Sequence, residues 1–359
     1  MLAFDHNTKI FVALSGGVDS AVAACLLLEK GYAVTGMFMK NWSGEDYGVR
    51  TDCPWEKDQE DAEQVCNVLG IPFRSVNFEK EYRESVIKYF FSEYSKGRTP
   101  NPDVICNKSI KFKVFLEKAM ELGGDMIATG HYAIIEKHQK FQLHKGIDEE
   151  KDQSYFLHRL DQSQLSKTLF PLGNYTKGEV REMARKYNLP VAEKKDSQGI
   201  CFIGKINVSE FLRENIPSKT GDIIDIDTTK VVGTHDGIMF YTIGQRHGMG
   251  IGGTKKPYFV VSKDIDKNRL YVALGGDHPL LFKKEIFFSN PHFICGEIPK
   301  EEELSASIRY RHKPQLGRLN IGKNTFVFNE PQKAPSPGQS IVFYDGSQCL
   351  GGAIIEQSS

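Results

Sequence analysis

Apolar residues 10–14 (Ile-Phe-Val-Ala-Leu) form an unbroken run that stops at Ser15-Gly16-Gly17. So short a run, closed by glycines, predicts a strand buried on both faces and then a tight turn. The stretch 21–30 has helical composition, with Val22, Cys25, Leu26 and Leu28 available to a core-facing side and Gly31 as the stop. The alternation continues with a strand at 33–39, a polar helix at 56–69 ended by Gly70, and a strand at 73–78. Helices at 80–95 and 108–122 follow, then an apolar strand at 125–129 that runs into Gly130-His131. Thr176 and Glu179 fit a capping box for a helix over 176–188, which must stop before Pro190. Such alternation implies an α/β fold with a doubly wound parallel sheet, and such sheets bind ligands at the carboxyl ends of their strands. Beyond residue 205 one short helix near 208–214 gives way to short strands punctuated by glycine. Three parts are therefore expected: an α/β domain over 1–205, a small β-rich domain over 206–275 and a C-terminal β-barrel over 276–359.

The bulk numbers agree with that division. At 359 residues, with 40% hydrophobic and 26% charged positions, the chain reads as a globular protein of two or three domains. It has no apolar run of about 18 residues, so no membrane span is expected. The first nine residues lack the apolar region of a signal peptide and the Arg-rich character of a transit peptide, which leads us to expect a cytoplasmic location. Lys plus Arg (46) equals Asp plus Glu (46), so net charge does not point to a nucleic acid, although a local basic face can still bind one. The seven cysteines (25, 53, 66, 106, 201, 295 and 349) are sparse, odd in number and without CxxC, against both a disulfide framework and a zinc module.

Three segments carry chemistry. Ser15-Gly16-Gly17-Val18-Asp19-Ser20 lies between a strand and a helix. Its glycines allow a tight bend with outward N–H groups, its serines add hydroxyls, and the helix N-terminus adds partial positive charge, which together suit a pyrophosphate. The Gly-Lys-Ser/Thr ending of a Walker loop is missing. Asn101-Pro102-Asp103-Val104-Ile105-Cys106-Asn107 precedes Lys108 and a helix with an apolar face of Phe112, Phe115, Leu116 and Ala119. There the helix dipole and Lys108 would favour a Cys106 thiolate, with Asp103 placed to act on a nearby proton; a helix-capping turn with an inert buried cysteine is the competing reading. In Asp196-Ser197-Gln198-Gly199-Ile200-Cys201-Phe202-Ile203-Gly204 the cysteine sits in a Gly-flanked loop. Cys25 and Cys66 fall within helical patterns and Cys295 and Cys349 in strand-like ones, as packing residues do, while Cys53, beside Pro54, is not dismissed by position.

Other features are weaker. Residues 304–329 contain no Asp or Glu but hold Arg309, Arg311, His312, Lys313, Arg318 and Lys323, and strand alternation would put several of these cations on one β face beside Tyr310, as RNA binding needs. The Gly-rich 244–253 stretch has no helix after it, so a dinucleotide fold is rejected and an RNA-contacting loop preferred. His235, before Asp236-Gly237, reads as a hairpin residue.

Taken in order, the Ser15–Ser20 loop, the 101–107 segment, the 196–204 loop and Tyr241-Thr242-Ile243-Gly244-Gln245-Arg246 resemble the tRNA-specific 2-thiouridylases, a branch of the N-type ATP pyrophosphatases (PP-loop), over essentially the whole chain. The resemblance implies an adenine nucleotide alpha hydrolase-like domain and ATP with Mg²⁺, held by Ala13, Leu14, Ser15, Gly16, Gly17, Val18, Asp19, Ser20, Met39 and Gly130. No His/Cys spacing supports a protein-held metal, so Mg²⁺ would come with the nucleotide. It further implies that Asn101, Pro102 and Asp103 meet the target base, that Cys106 is the nucleophile and Cys201 the persulfide carrier, and that His131, Lys151, Asp152, Gln153, Arg309, Tyr310 and Gln339 contact tRNA. Adenylation of the C2 oxygen of uridine 34, then sulfur transfer, is the implied reaction. The implied partners are the Lys, Glu and Gln acceptor tRNAs and a cysteine desulfurase or sulfur-relay protein, with the enzyme a monomer. Ile134 departs from the pattern, many relatives having Arg there. Another AMP-forming ligase of the superfamily is the runner-up, and it gives Cys106 and Cys201 no role; an RNA-binding module with a dead nucleotide loop is the non-enzyme alternative.

Overall fold

A computed structural model describes residues 7–43, 55–195, 208–300 and 302–358. Cys53 and the 196–204 motif, Cys201 included, lie outside the described residues.

Strands β1 (Lys9–Leu14), β2 (Ala33–Lys40), β3 (Phe73–Asn77), β4 (Met126–Ala128), β5 (Ala133–Lys137), β6 (Phe141–Lys145) and β7 (Thr168–Leu169) belong to the first part of the chain. Five of them make a sheet in the order β3-β2-β1-β4-β7, with every pairing parallel. This is the expected α/β architecture. Its central strand β1 reads eBBBBB, the signature of a strand covered on both faces. Helix α1 (Val18–Glu29) is buried along most of its length, and α2 (Trp55–Leu69) covers the sheet with Ala62, Val65 and Cys66. The Thr176–Glu179 capping box forms as read, opening the helix Lys177–Lys186.

One boundary differs in a way that matters. The helix expected from 108 starts at Pro102 and continues through residue 121. Asn101 caps it by accepting a bond from Val104 N (3.3 Å), and Pro102 takes the first helical position, where a missing N–H costs nothing. Cys106 therefore sits in the second turn, fully buried, and not at the helix N-terminus. The run is α-helical at both ends and π-helical over Asn107–Val114.

After the helix Val208–Asn215 come β8 (Gly221–Asp225), β9 (Val231–His235), β10 (Tyr258–Asp264) and β11 (Arg269–Leu274), a small sheet in the order β10-β11-β8-β9. That helix turns Phe211 onto Trp42 and Phe91 of the first part, with ring centroids 5.9 and 5.2 Å away. His235 ends β9 opposite Gly221 in the β8–β9 hairpin, while the Asp236-Gly237 after it leads into a 3-10 turn and not into a hairpin. Strands β12 (Phe282–Phe293), β13 (Glu303–Ser307), β14 (Gln315–Asn320), β15 (Thr325–Lys333), β16 (Ser340–Asp345) and β17 (Gln348–Ser358) form a barrel in the order β12-β15-β14-β13-β16-β17, closed by β12 on β17. Phe288, Phe326, Phe328 and Phe343 fill its core. The β5–β6 hairpin leaves the parallel sheet and pairs with β17 through Leu143–Cys349, so the first part of the chain contributes two strands to the barrel's sheet.

The expected basic strand face does not form. Arg309, Arg311, His312 and Lys313 fall in the connection between β13 and β14, because Arg311 takes a positive φ of 64° and Pro314 follows. Arg318 is the cation that lies within β14. Among the described residues, no helix is long and apolar enough to cross a membrane.

Candidate active site

In this sheet the order of strand addition reverses between β1 and β4, which lie side by side and parallel. The crevice beyond their carboxyl ends is the topological switch point, where ligands bind in such folds. Two loops edge it, Ser15–Gly17 after β1 and Thr129–His131 after β4. They approach too closely for side chains. A Cβ on Gly130 would stand 2.7 Å from Asp19 C and Ser20 N, and one on Gly16, at φ +70°, would stand 2.3 Å from Asp58 O. The loop's shape is held from within: Ser15 N donates to Ser20 Oγ (3.1 Å), which donates to Gly17 O (3.1 Å). Ala13, Leu14, Val18 and Met39 are buried at the strand ends and helix start around it.

Charge is arranged about that cradle. Asp19 accepts from Lys177 Nζ (2.6 Å) and Tyr132 OH (2.8 Å). Lys194 Nζ donates to Gly16 O (2.9 Å), Asp58 (2.7 Å) and Asp61. Burial alone would depress the Lys194 ammonium, but its bonds to Asp58 and Asp61 outweigh that and hold it above its ordinary value. The cradle thus offers loop amides and a helix N-terminus to an anion, beside two lysines that are held in place by Asp19, Asp58 and Asp61.

A second feature opens at the start of the 102–121 helix, an open cleft of about 240 Å³ lined by Pro100, Asn101, Pro102, Asp103, Phe156 and Gln339, among others. The loop leading into it is pinned from three sides. Gln339 Nε2 donates to the carbonyls of Thr99 (2.9 Å) and Pro100 (3.1 Å), Thr99 N donates to Pro337 O (2.8 Å), and the Thr99 and Thr242 hydroxyls meet at 3.1 Å. Just before it, Arg98 pairs with Glu93 (2.6 Å) and, in a two-pronged contact, with Glu356 of β17.

Residues 8–205 match the family of the tRNA methyl transferase HUP domain, 209–274 the tRNA methyl transferase PRC-barrel domain and 283–355 the aminomethyltransferase beta-barrel domain. The chain is 49% identical to the tRNA-specific 2-thiouridylase MnmA of Bacillus subtilis, covering 98% of this chain and 95% of that protein. The chain belongs to the tRNA-specific 2-thiouridylase family. The enzyme of the same name from Methylobacillus flagellatus is 52% identical over 97% of this chain and 98% of its own. That from Enterococcus faecalis is 48% identical over 99% and 97%. Among solved structures, a 4-thiouridine synthetase–RNA complex with bound ATP shares 55% of this chain and 46% of its own at 21% identity, with a TM-score of 0.38, too slight a likeness to argue from.

Within this 2-thiouridylase the remaining sequence-derived residues fall into two groups. His131 is buried between Phe112 and Phe170, with Nδ1 2.7 Å from Thr129 Oγ1, and burial, then Lys111, pulls its pKa well below the ordinary value. Gln153 exchanges two bonds with the Tyr132 backbone (2.9 and 3.0 Å), tying the 151–153 loop to the residue whose hydroxyl touches Asp19. Asp152 accepts from Gly146 N and Ser154, and burial pushes its carboxyl up; Lys151 N donates to Asp148 O. These stand on the phosphate side. On the cleft side, Tyr310 packs on Phe156 with centroids 4.4 Å apart, and Arg309 donates to Ala334 O (3.1 Å). Burial does not set Cys106 apart from the other described cysteines: Cys25, Cys66, Cys106 and Cys349 are all buried, and Cys295, in a turn just after β12 and not in a strand, is the least so. Burial drives the Cys25 thiol to about 12 and Cys66 to about 11, and raises Cys295 and Cys349 as well, which disfavours their thiolates.

Sequence reasoning missed Lys177, Lys194, Tyr132, Asp58 and Asp61. Lys177 follows the capping Thr176 and Tyr132 follows Gly130-His131, so both stood beside recognised motifs. Lys194 reaches Gly16 across 178 positions, and nothing local marks it.

Proposed function

We propose that the protein uses ATP to replace the C2 oxygen of uridine 34 in tRNA with sulfur. The observation that supports this reading most is the combination, in a chain of the 2-thiouridylase family, of a side-chain-free phosphate cradle at Gly16 and Gly130 with an open cleft at Asn101–Asp103, one helical turn from Cys106. The cradle suits a triphosphate because Gly130 lets the loop after β4 close onto the Asp19–Ser20 backbone at the helix start and Gly16 lets the turn close onto Asp58, with Lys177 and Lys194 beside it. Mg²⁺ bound to the phosphates would neutralise part of their charge. The uridine O2 attacks the α-phosphorus, pyrophosphate leaves, and the oxygen becomes part of a good leaving group. Asp103 accepts or returns the base's proton. The outer sulfur of a Cys201 persulfide attacks C2 and AMP departs. The Cys106 thiolate then attacks the inner sulfur, freeing 2-thiouridine and leaving a Cys106–Cys201 disulfide, which a cellular thiol reduces.

On this reading the three parts are a catalytic domain over 1–205, a small domain over 206–275 and a tRNA-binding barrel over 276–359. A monomeric cytoplasmic enzyme is charged with sulfur by a cysteine desulfurase or relay protein and acts on the Lys, Glu and Gln acceptors. Pyrophosphate release provides the test. It should require tRNA carrying uridine at position 34 and disappear when that base is replaced by cytidine. Equal release with ammonia as acceptor and no tRNA would instead assign the protein to the amidating ligases.

A further inference from the structure

The π-helical segment Asn107–Val114 begins one residue after Cys106. In an α-helix, residues five apart point about 140° away from each other. An i→i+5 turn stacks them on one side. Lys108 and Lys113 are five apart, and both are exposed. The turn is held open by Gln164, whose Nε2 donates to Phe112 O (2.9 Å) and Lys108 O (3.4 Å), carbonyls that the altered winding leaves available.

A third cation joins this side. Arg159 lies five residues before Gln164 and donates to Asn290 O of β12 (2.6 Å), while His292 is 2.8 Å from Leu160 O. Among the described residues, none of Lys108, Lys113 and Arg159 has a carboxylate within ion-pair distance. Asp161, the nearby acid, has one oxygen occupied by Ser163 Oγ (2.6 Å) and Gln164 N (2.9 Å), capping the next helix. The groups feel one another: burial first, then Arg159 and Lys113, pull the Lys108 ammonium below its ordinary value. Asp161 opposes this only in part, and the remaining positive charge is what a polyanion would relieve.

We infer that Lys108, Lys113 and Arg159 form a grip for the phosphodiester backbone of the substrate RNA, set by the π-turn beside the helix that carries Cys106. The inference rests on the tRNA-thiolating reading and adds a contact surface to it on the catalytic domain. Two exposed lysines one π-turn apart, with Arg159 on the neighbouring segment, suit a chain with regularly spaced phosphates, and each cation would displace a counterion on binding.

The test is tRNA binding measured across a salt series for the wild type, Lys108→Gln/Lys113→Gln and Lys108→Arg/Lys113→Arg, with melting curves to check that all three fold. The Gln pair should bind tRNA more weakly at low salt, with the slope of log affinity against log salt reduced by about 1 for each lysine, and the Arg pair should restore it. An unchanged slope in the Gln pair, while the wild type binds tRNA, overturns the inference and leaves the enzyme assignment standing. Intact tRNA binding with loss of sulfur delivery from a desulfurase also overturns it and gives the patch to a protein. A wild type that binds no tRNA brings down the thiolation reading itself.

Discussion

At the scale of single residues, the phosphate cradle depends on what two positions lack. Gly130 has no room for a methyl group, since its Cβ would press on the backbone of Asp19 and Ser20 at 2.7 Å. Gly130→Ala should therefore push the two loops apart and lower kcat/KM for ATP roughly 100-fold, with tRNA affinity retained, as ATP titrations and filter binding would show. Cys106 makes a different demand. It is 0% exposed, yet its proposed role requires contact with a persulfide. Closed in the free protein, it should resist alkylation by iodoacetamide and become reactive when tRNA engages the Thr99–Asp103 loop, with peptide mass spectrometry as the readout. Labelling as fast without tRNA as with it would contradict this. The sequence singled out Gly16, Gly130 and Cys106 because each sits in a local motif. It placed Cys106 at a helix end because it started the helix at 108, although a helix-capping turn over this segment was the competing reading; Asn101 is that cap and Pro102 the first helical residue.

Among the secondary-structure elements, strand runs such as 10–14 and 33–39 announced the parallel sheet, since burial on both faces leaves little choice of residue. The π-turns at Arg83–Ile87 and Asn107–Val114 left no such mark, because their winding is set by partners such as Gln164 outside the helix. Arg98 is the corresponding case for the junction between helix and barrel, joining Glu93 to Glu356 across 258 positions. Arg98→Met leaves these two carboxylates without their shared cation and should cost about 2–3 kcal/mol in urea unfolding. Burial would raise the Glu356 carboxyl, but Arg98 and Ser289 outweigh it and hold it below the usual 4.5. A carboxyl depressed in the folded state contributes stability above its unfolded value, and that contribution is lost as pH falls through the folded value. The wild type should accordingly lose stability below about pH 4.5 more steeply than Arg98→Met; parallel acid limbs would show that the pair contributes nothing.

For the whole molecule, the parts foreseen from texture are present as a parallel α/β sheet, a small sheet and a closed barrel. Their joining was not foreseeable. The β5–β6 hairpin extends the barrel's sheet, and Gln339 and Pro337 of the barrel hold Thr99 and Pro100 beside the cleft. Those contacts span about 240 positions and leave no periodic trace. On the proposed function they give the barrel a part in catalysis, since it holds the loop that would be offered to the base. The central claim is most directly tested by nucleoside mass spectrometry of unmodified tRNA-Glu incubated with the protein, ATP, Mg²⁺, a cysteine desulfurase and cysteine, alongside Cys106→Ser and Cys201→Ser. The wild type should yield 2-thiouridine at position 34 only when ATP is present, and each serine variant should yield none. ATP consumed to AMP without any thiolated base, or full thiolation by either variant, would contradict the account.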